Sequence, residues 1–283
     1  MNNQNIAGTM TTILVNQDLC TRCGICANVC AAAFGMGIID HPDENNLPVV
    51  SPAKAGLCIR CGHCEAYCPT QALVLNDRLD EKVRLPSVTI APDDLGWYLR
   101  KRRSVRHYSK EPVPKETILE LLDIARYAAS GCNGQPVEWI VIHDKEKVHR
   151  VAELTIDWMR TLLNTGHPMS AFVPGLIAAW EGGTDVICRG APHLLIATIP
   201  EGNPIAAFDG IIALTHVDIV APAHGVGTCW AGFVAGAARE FEPLKTYLGI
   251  PEGRALSYAM MFGHPQYRIH GIPRRKPLQV TWQ

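Results

Sequence analysis

Eleven cysteines are present in 283 residues, and eight of them fall in two runs of identical spacing. The runs are Cys20, Cys23, Cys26 and Cys30, then Cys58, Cys61, Cys64 and Cys68. Each reads C-x2-C-x2-C-x3-C. Three thiolates two residues apart let a tight loop wrap three corners of an iron–sulfur cubane, while the fourth, one residue further on, turns away from that loop. Gly24 and Gly62 follow the second cysteine of each run and allow the backbone to come close to the sulfurs. Structural zinc modules also use C-x2-C knuckles, but they pair them across a longer gap, so two dense quartets favour iron–sulfur over zinc. A disulfide framework belongs to short secreted chains and fits poorly here.

With proline after its last cysteine, the second run resembles that of the bacterial ferredoxins. The resemblance implies two [4Fe-4S] clusters with crossed fourth ligands: Cys20, Cys23, Cys26 and Cys68 on one, and Cys58, Cys61, Cys64 and Cys30 on the other. Pro69 stops a helix after Cys68, whereas Ala31 takes its place in the first run, a departure expected to alter backbone more than ligation. The β-branched residues 11–15 and the apolar residues 72–75 read as paired edge strands that close a small module near residue 76. The polar stretch His41–Pro48 reads as a surface loop.

Overall composition excludes some partners. A net charge of −1 and a pI near 6.8 give no footprint for nucleic acid or an anionic membrane. Met1 to Leu19 lacks the apolar segment of an export signal, and Asp209, His216, Asp218 and His224 interrupt the most apolar stretch, so no transmembrane span is expected. Thiolate clusters without an export signal suit a reducing cytoplasm.

Residues 77–92, with Pro86 and Pro92, read as a linker, and 93–283 as a second domain. Asp93 or Asp94 can cap a helix that leads into Arg102-Arg103-Ser104-Val105-Arg106. After Pro112-Val113-Pro114, Ile118, Leu121, Leu122 and Ala125 form the stripe of an amphipathic helix. Ala129–Pro136 is a loop and Glu138–His143 a buried strand. Val148 to Leu162 forms a second long helix. Residues 164–190, punctuated by glycine and proline, read as a cover over a site. Leu194–Ile199 and Leu256–Phe262 are core strands, and Asp209 to about His224 a nearly all-apolar helix. The fold class is α+β.

Four segments together resemble the nitroreductase-like FMN-dependent oxidoreductases, in its iron–sulfur-containing branch: Arg102–Arg106, Ala129-Ser130-Gly131-Cys132-Asn133-Gly134-Gln135-Pro136, Gly227–Phe233 and Arg274-Arg275-Lys276. The resemblance implies a nitroreductase-like α/β sandwich that forms a homodimer with FMN at its interface. Forked arginine donors match phosphate oxygens. Arg102 and Arg106 are expected four apart on one helix face, with Arg103 and Ser104 between them and Arg274 and Lys276 closing the phosphate site. Ser130, Asn133 and Gln135 are implied to come from the neighbouring subunit and meet the flavin, and the backbone N–H groups of Ala231 and Gly232 to face its N5 and O4. Val137 stands where many relatives carry tryptophan. Cys132, Cys188 and Cys229 read as packed thiols, and no catalytic side chain is assigned among His167, His264, Tyr267 and His270.

These readings converge on an oxidoreductase taking electrons from reduced ferredoxin or flavodoxin, with NAD(P)H the second candidate donor. No G-x-G-x-x-G run supports a Rossmann nicotinamide site. The acceptor class implied by the resemblance is nitroaromatic or quinone, with activated alkenes and halogenated phenols also open. The competing expectation is a noncatalytic electron carrier or redox sensor.

Overall fold

The computed structural model describes residues 13–75, 86 and 88–283, with backbone alone for residues 31–34. The chain divides into two compact units. The first comprises residues 1–89 with 132–134, and the second residues 90–131 with 135–283. Thr11 and Thr12 of the expected first strand, and most of the expected linker, lie outside the described residues.

In the first unit the two cysteine loops repeat one another in backbone as well as in sequence. Arg22 and Arg60 have φ of +56° and +52°, and Gly24 and Gly62 have +73° and +72°. Each left-handed glycine opens a helix, α1 (Ile25–Phe34) and α2 (His63–Ala66). The inequality of their lengths follows from the residue after the fourth cysteine. Ala31 lets α1 run on past Cys30, whereas Pro69 follows a helix that has ended at Ala66. Strand β1 (Ile13–Val15) pairs antiparallel with β4 (Leu73–Leu75), and β2 (Ile39–Asp40) with β3 (Val49–Val50) on either side of the polar loop. Cys26, Ala27, Ile38, Ile39, Cys64 and Leu73 form its core.

The second unit is built on a four-stranded antiparallel sheet in the order β5 (Glu138–Ile142), β6 (His193–Pro200), β8 (Arg254–Gly263), β7 (Gly227–Trp230). Along β6, Leu194 and Ile196 join one core while Leu195 and Ala197 join the other, the two-residue alternation of a strand buried on both faces. Burying each such leucine or isoleucine contributes about 1.5–3 kcal/mol. The first face carries α5 (Lys145–Thr161), α6 (Val173–Glu181), α8 (Gly232–Glu240) and α9 (Glu242–Leu248), and the second carries α4 (Lys115–Ala125) and α7 (Pro204–Val220). Asp144 caps α5 by accepting from the amides of Glu146 and Lys147, and Asn203 caps α7 through Ile205 and Ala206. Gly210 lets α7 lie close on β8, since a Cβ there would stand 2.2 Å from Ser257 Oγ.

Several expectations are corrected. Helix α3 (Pro92–Lys101) starts at a proline with Asp93 and Asp94 in its first turn, where they complement the helix dipole instead of capping it. It ends before Arg102, so Arg102 and Arg106 do not share a helix face. Beyond it the backbone is extended, and the Val105 amide donates to Thr228 O of β7 at 2.8 Å. The expected cover contains α6, and β5 is a half-exposed edge strand rather than a buried one. The stretch Pro204–His224 is long and apolar enough to cross a membrane by length and composition, but its two carboxylates, Asp209 and Asp218, are buried and engaged within the unit.

Candidate functional site

The eight matched thiols gather as two groups of four, each taking one member from the other run. Cys20, Cys23, Cys26 and Cys68 line a single pocket, bordered by Arg22, Gly24, Pro42 and Pro48. Cys64 lies within electrostatic reach of Cys30, Cys58 and Cys61. No group of three or more His, Cys, Asp or Glu among the described residues is placed to hold a single metal ion.

The surroundings of the sulfurs supply hydrogen-bond donors. Arg60 N points at Cys58 Sγ (3.4 Å) and Ala72 N at Cys68 Sγ (3.2 Å), while His63 Nδ1 stands 3.0 Å from Cys61 Sγ. Arg22 Nε is buried beside the first pocket without a hydrogen-bond partner among the described residues. Burial pushes the Cys26 thiol up and the Cys64 thiol up to about 12. For Cys68 burial also acts upward, but hydrogen bonds from Thr70 and the Ala72 and Leu73 backbone together bring it below the ordinary value. Buried thiols that resist ionisation alone are suited to a partner carrying positive charge. This donor set fits iron–sulfur ligation.

In the second unit the extended run 102–106 borders β7. Asp218, on α7, is the convergence point: Arg102 Nη1 lies 3.2 Å from its Oδ2, Trp230 Nε1 donates to the same oxygen at 3.2 Å, and Thr228 Oγ1 donates to Oδ1. Arg103 Nη2 donates to Arg100 O (2.7 Å), and its Nε is buried without a hydrogen-bond partner among the described residues. Burial pushes the Cys229 thiol up, opposed by the charges of Arg106 and Arg189 and by a hydrogen bond with Ser104. Arg106 and Arg189 thus lie within electrostatic reach, and Ser104 within hydrogen-bond reach, of Cys229. Asp185 holds the loop that carries Arg189, accepting from the amides of Ile187 (3.0 Å), Cys188 (2.8 Å) and Gly190 (2.9 Å). Two arginines and a hydroxyl are donor types that fit an anion such as a phosphate.

The other expected residues are more dispersed. Ser130 Oγ accepts from Gln135 N (3.0 Å), and Asp209 accepts from Gly131 N (2.9 Å). Cys132, Asn133 and Gln135 have φ of +50°, +53° and +45°, a strained turn for side-chain-bearing residues. Cys132–Gly134 group with the first unit. The Ala231 amide cannot serve a ligand as expected, because it already donates to Ala259 O at 2.9 Å and the residue is buried. The amides at the start of α8 begin with Gly232, where a Cβ would lie 3.1 Å from the Tyr258 hydroxyl. Arg274 and Lys276 are exposed on a C-terminal segment without regular structure. Sequence reasoning missed Asp218, whose ion-pair partner Arg102 is remote in the chain, and Arg189.

Residues 99–264 match the model of the nitroreductase family, and residues 54–74 match that of the 4Fe-4S binding domain. The chain belongs to the nitroreductase family. It is an oxidoreductase of that family with a ferredoxin-type segment in front, and the second-unit arrangement above lies in its nitroreductase domain. Across 180 residues the chain is 37% identical to an iodotyrosine deiodinase of Thermotoga neapolitana, spanning 62% of this chain and 91% of that relative. It is 28% identical over 189 residues to an FMN reductase [NAD(P)H] of Bacillus subtilis, spanning 65% and 71%. A nitroreductase with bound FMN from Desulfitobacterium hafniense shares the fold with a TM-score of 0.54 at 20% identity, covering 66% of this chain and 97% of that one.

Proposed function

We propose that this nitroreductase-family member is an FMN- and iron–sulfur-dependent oxidoreductase, passing electrons from a low-potential donor to an organic acceptor. The observation that carries this reading is the sorting of eight thiols into two groups of four ahead of a nitroreductase domain. When bound, two [4Fe-4S] clusters would supply one-electron carriers and FMN the exchange between single electrons and electron pairs.

The chain's own residues have these roles. Cys20, Cys23, Cys26 and Cys68 hold one cluster, and Cys58, Cys61, Cys64 and Cys30 the other. Ser104, Arg103, Arg106 and Arg189 bind the phosphate, with Arg274 and Lys276 as the C-terminal contributors. Arg102 borders the site from its pairing with Asp218, and Gly232 leaves backbone amides free for a flat ring. Ser130, Asn133 and Gln135 serve the flavin of a second copy. The domains run over residues 1–76 and 93–283 about a linker at 77–92.

Exposed apolar residues support a homodimer: Ile205, Phe208 and Ile212 follow one face of α7, and Leu278, Val280 and Trp282 alternate along the C-terminal segment. Reduced ferredoxin or flavodoxin in a reducing cytoplasm is the proposed donor, with NAD(P)H the second. The relative named as a deiodinase supports keeping halogenated phenols beside nitroaromatics and quinones among the acceptors to test.

The test is anaerobic purification with iron, sulfide and flavin counted per chain, then reduction by a ferredoxin system and rapid mixing with that acceptor panel. About eight irons and one FMN, as two four-iron clusters require, with acceptor-dependent reoxidation, is the expected result. Loaded protein that reduces fully yet passes electrons to no small acceptor would replace the enzyme with the carrier or sensor.

A further inference from the structure

The two cysteine loops share spacing, left-handed residues and helix-opening glycines, yet they differ at the position after the glycine. The first run has Ile25 and the second His63. That exchange places a donor on a ligand sulfur. His63 Nδ1 is 3.0 Å from Cys61 Sγ, the ring is partly buried, and Tyr67 lies beside it with ring centroids 5.8 Å apart. A metal-bound thiolate carries no proton, so in this pair the imidazole is the donor and Nδ1 bears the hydrogen. The first loop has an aliphatic side chain at the matching place.

We infer that His63 is a potential-setting residue: by donating to Cys61 Sγ it makes the cluster of the second loop easier to reduce than it would otherwise be, and so makes the two clusters inequivalent. Reduction adds negative charge that is shared onto the ligand sulfurs. A donor aimed at one of them stabilises the reduced form more than the oxidised one, and hydrogen bonds to sulfur are among the factors that set cluster potentials. Further polar contacts of the sulfurs among the described residues include backbone amides and the Thr70 hydroxyl, 3.8 Å from Cys68 Sγ. An arriving electron would therefore favour the cluster that His63 serves.

This inference rests on the two-cluster reading above, and the test separates the failure of each. Wild type, His63→Ile and His63→Asn are purified anaerobically as full chains, their iron is counted, and their clusters are titrated potentiometrically at one fixed pH by electron paramagnetic resonance. His63→Ile copies the first loop, while His63→Asn retains an N–H donor near the place of Nδ1. The expected result is unchanged iron, with one of two reduction waves moved to lower potential in His63→Ile. The reduced-to-oxidised ratio at fixed potential should fall by about tenfold, which is about 59 mV for a one-electron couple, and His63→Asn should restore most of it. Full iron with both waves unmoved in His63→Ile would overturn the role of His63. Wild-type protein carrying about four irons or fewer after anaerobic reconstitution would instead overturn the two-cluster reading beneath it.

Discussion

Asp218 offers two carboxylate oxygens to three side chains, those of Arg102, Thr228 and Trp230, and is itself buried. An asparagine of the same shape can keep its one acceptor oxygen towards Arg102 and Trp230 and turn its NH2 to the Thr228 hydroxyl, but it lacks the negative charge that pairs with Arg102. Breaking a fully buried ion pair costs about 3–5 kcal/mol, but Arg102 retains 31% of its side-chain exposure, which lowers the figure. Asp218→Asn is therefore expected to cost about 2 kcal/mol, or roughly 4–8 °C in the melting temperature of a domain of this size. Calorimetry of the FMN-loaded protein checks it. A melting point within one degree of wild type, with FMN affinity raised, would mean that Arg102 leaves Asp218 to serve the phosphate.

At the scale of elements, His143 just past the end of β5 and His193 at the start of β6 fasten the segment leading into α4. His193 Nε2 accepts from Val113 N (2.9 Å), and His143 Nε2 donates to Val113 O (2.8 Å). His193 Nδ1 donates to His143 O (2.9 Å), and the rings stack with centroids 4.2 Å apart. Protonating His193 would put a second donor against the Val113 amide. Burial, then the neighbouring His143 and His264, hold its pKa near 4 against an ordinary 6.5. A base whose folded value is depressed is neutral in the fold and takes up its proton more readily when unfolded. The linked stability is thus complete above pH 6.5 and is lost as pH falls from 6.5 towards 4, by up to about 3 kcal/mol. His193→Gln, whose amide oxygen can still accept from Val113, should flatten that loss. Melting curves of both proteins between pH 7 and 4 decide it, since equal slopes would clear His193 of the effect.

The same elements show what the sequence could convey. Cysteine spacing, glycine placement and the stripe Ile118, Leu121, Ala125 are local signals, and they locate both loops and α4 without knowledge of anything distant. Arg102 to Arg106 failed as a helix because the Val105 amide is drawn to Thr228, more than a hundred residues away, and helical spacing carries no sign of such a partner. The pairing of Asp218 with Arg102, 116 residues away, was hidden for the same reason. Helix α6 was concealed by Pro174 and Gly175, which read as breakers but sit in a first turn, where proline costs no hydrogen bond.

For the molecule as a whole, the cysteine loops and the cationic site fall in different compact units, so each set of ligands should be removable without emptying the other. Cys61→Ala deletes one of four thiols in the second group, and the iron count should fall by about half or more while FMN stays at one per chain. Arg106→Ala withdraws a forked donor from the anion site. Losing a charge-assisted hydrogen bond worth about 1.5–3 kcal/mol should weaken FMN binding roughly tenfold to a hundredfold, with iron unchanged. Flavin fluorescence titration and iron analysis on the same samples test both at once. Electron delivery should then fail in opposite ways: Cys61→Ala should remain reducible by dithionite at its flavin but lose ferredoxin-driven turnover, whereas Arg106→Ala should accept electrons from ferredoxin at its iron and lose turnover until FMN is added in excess. If Cys61→Ala also sheds FMN, the units depend on each other for folding, and a model of two separable electron-carrying modules fails.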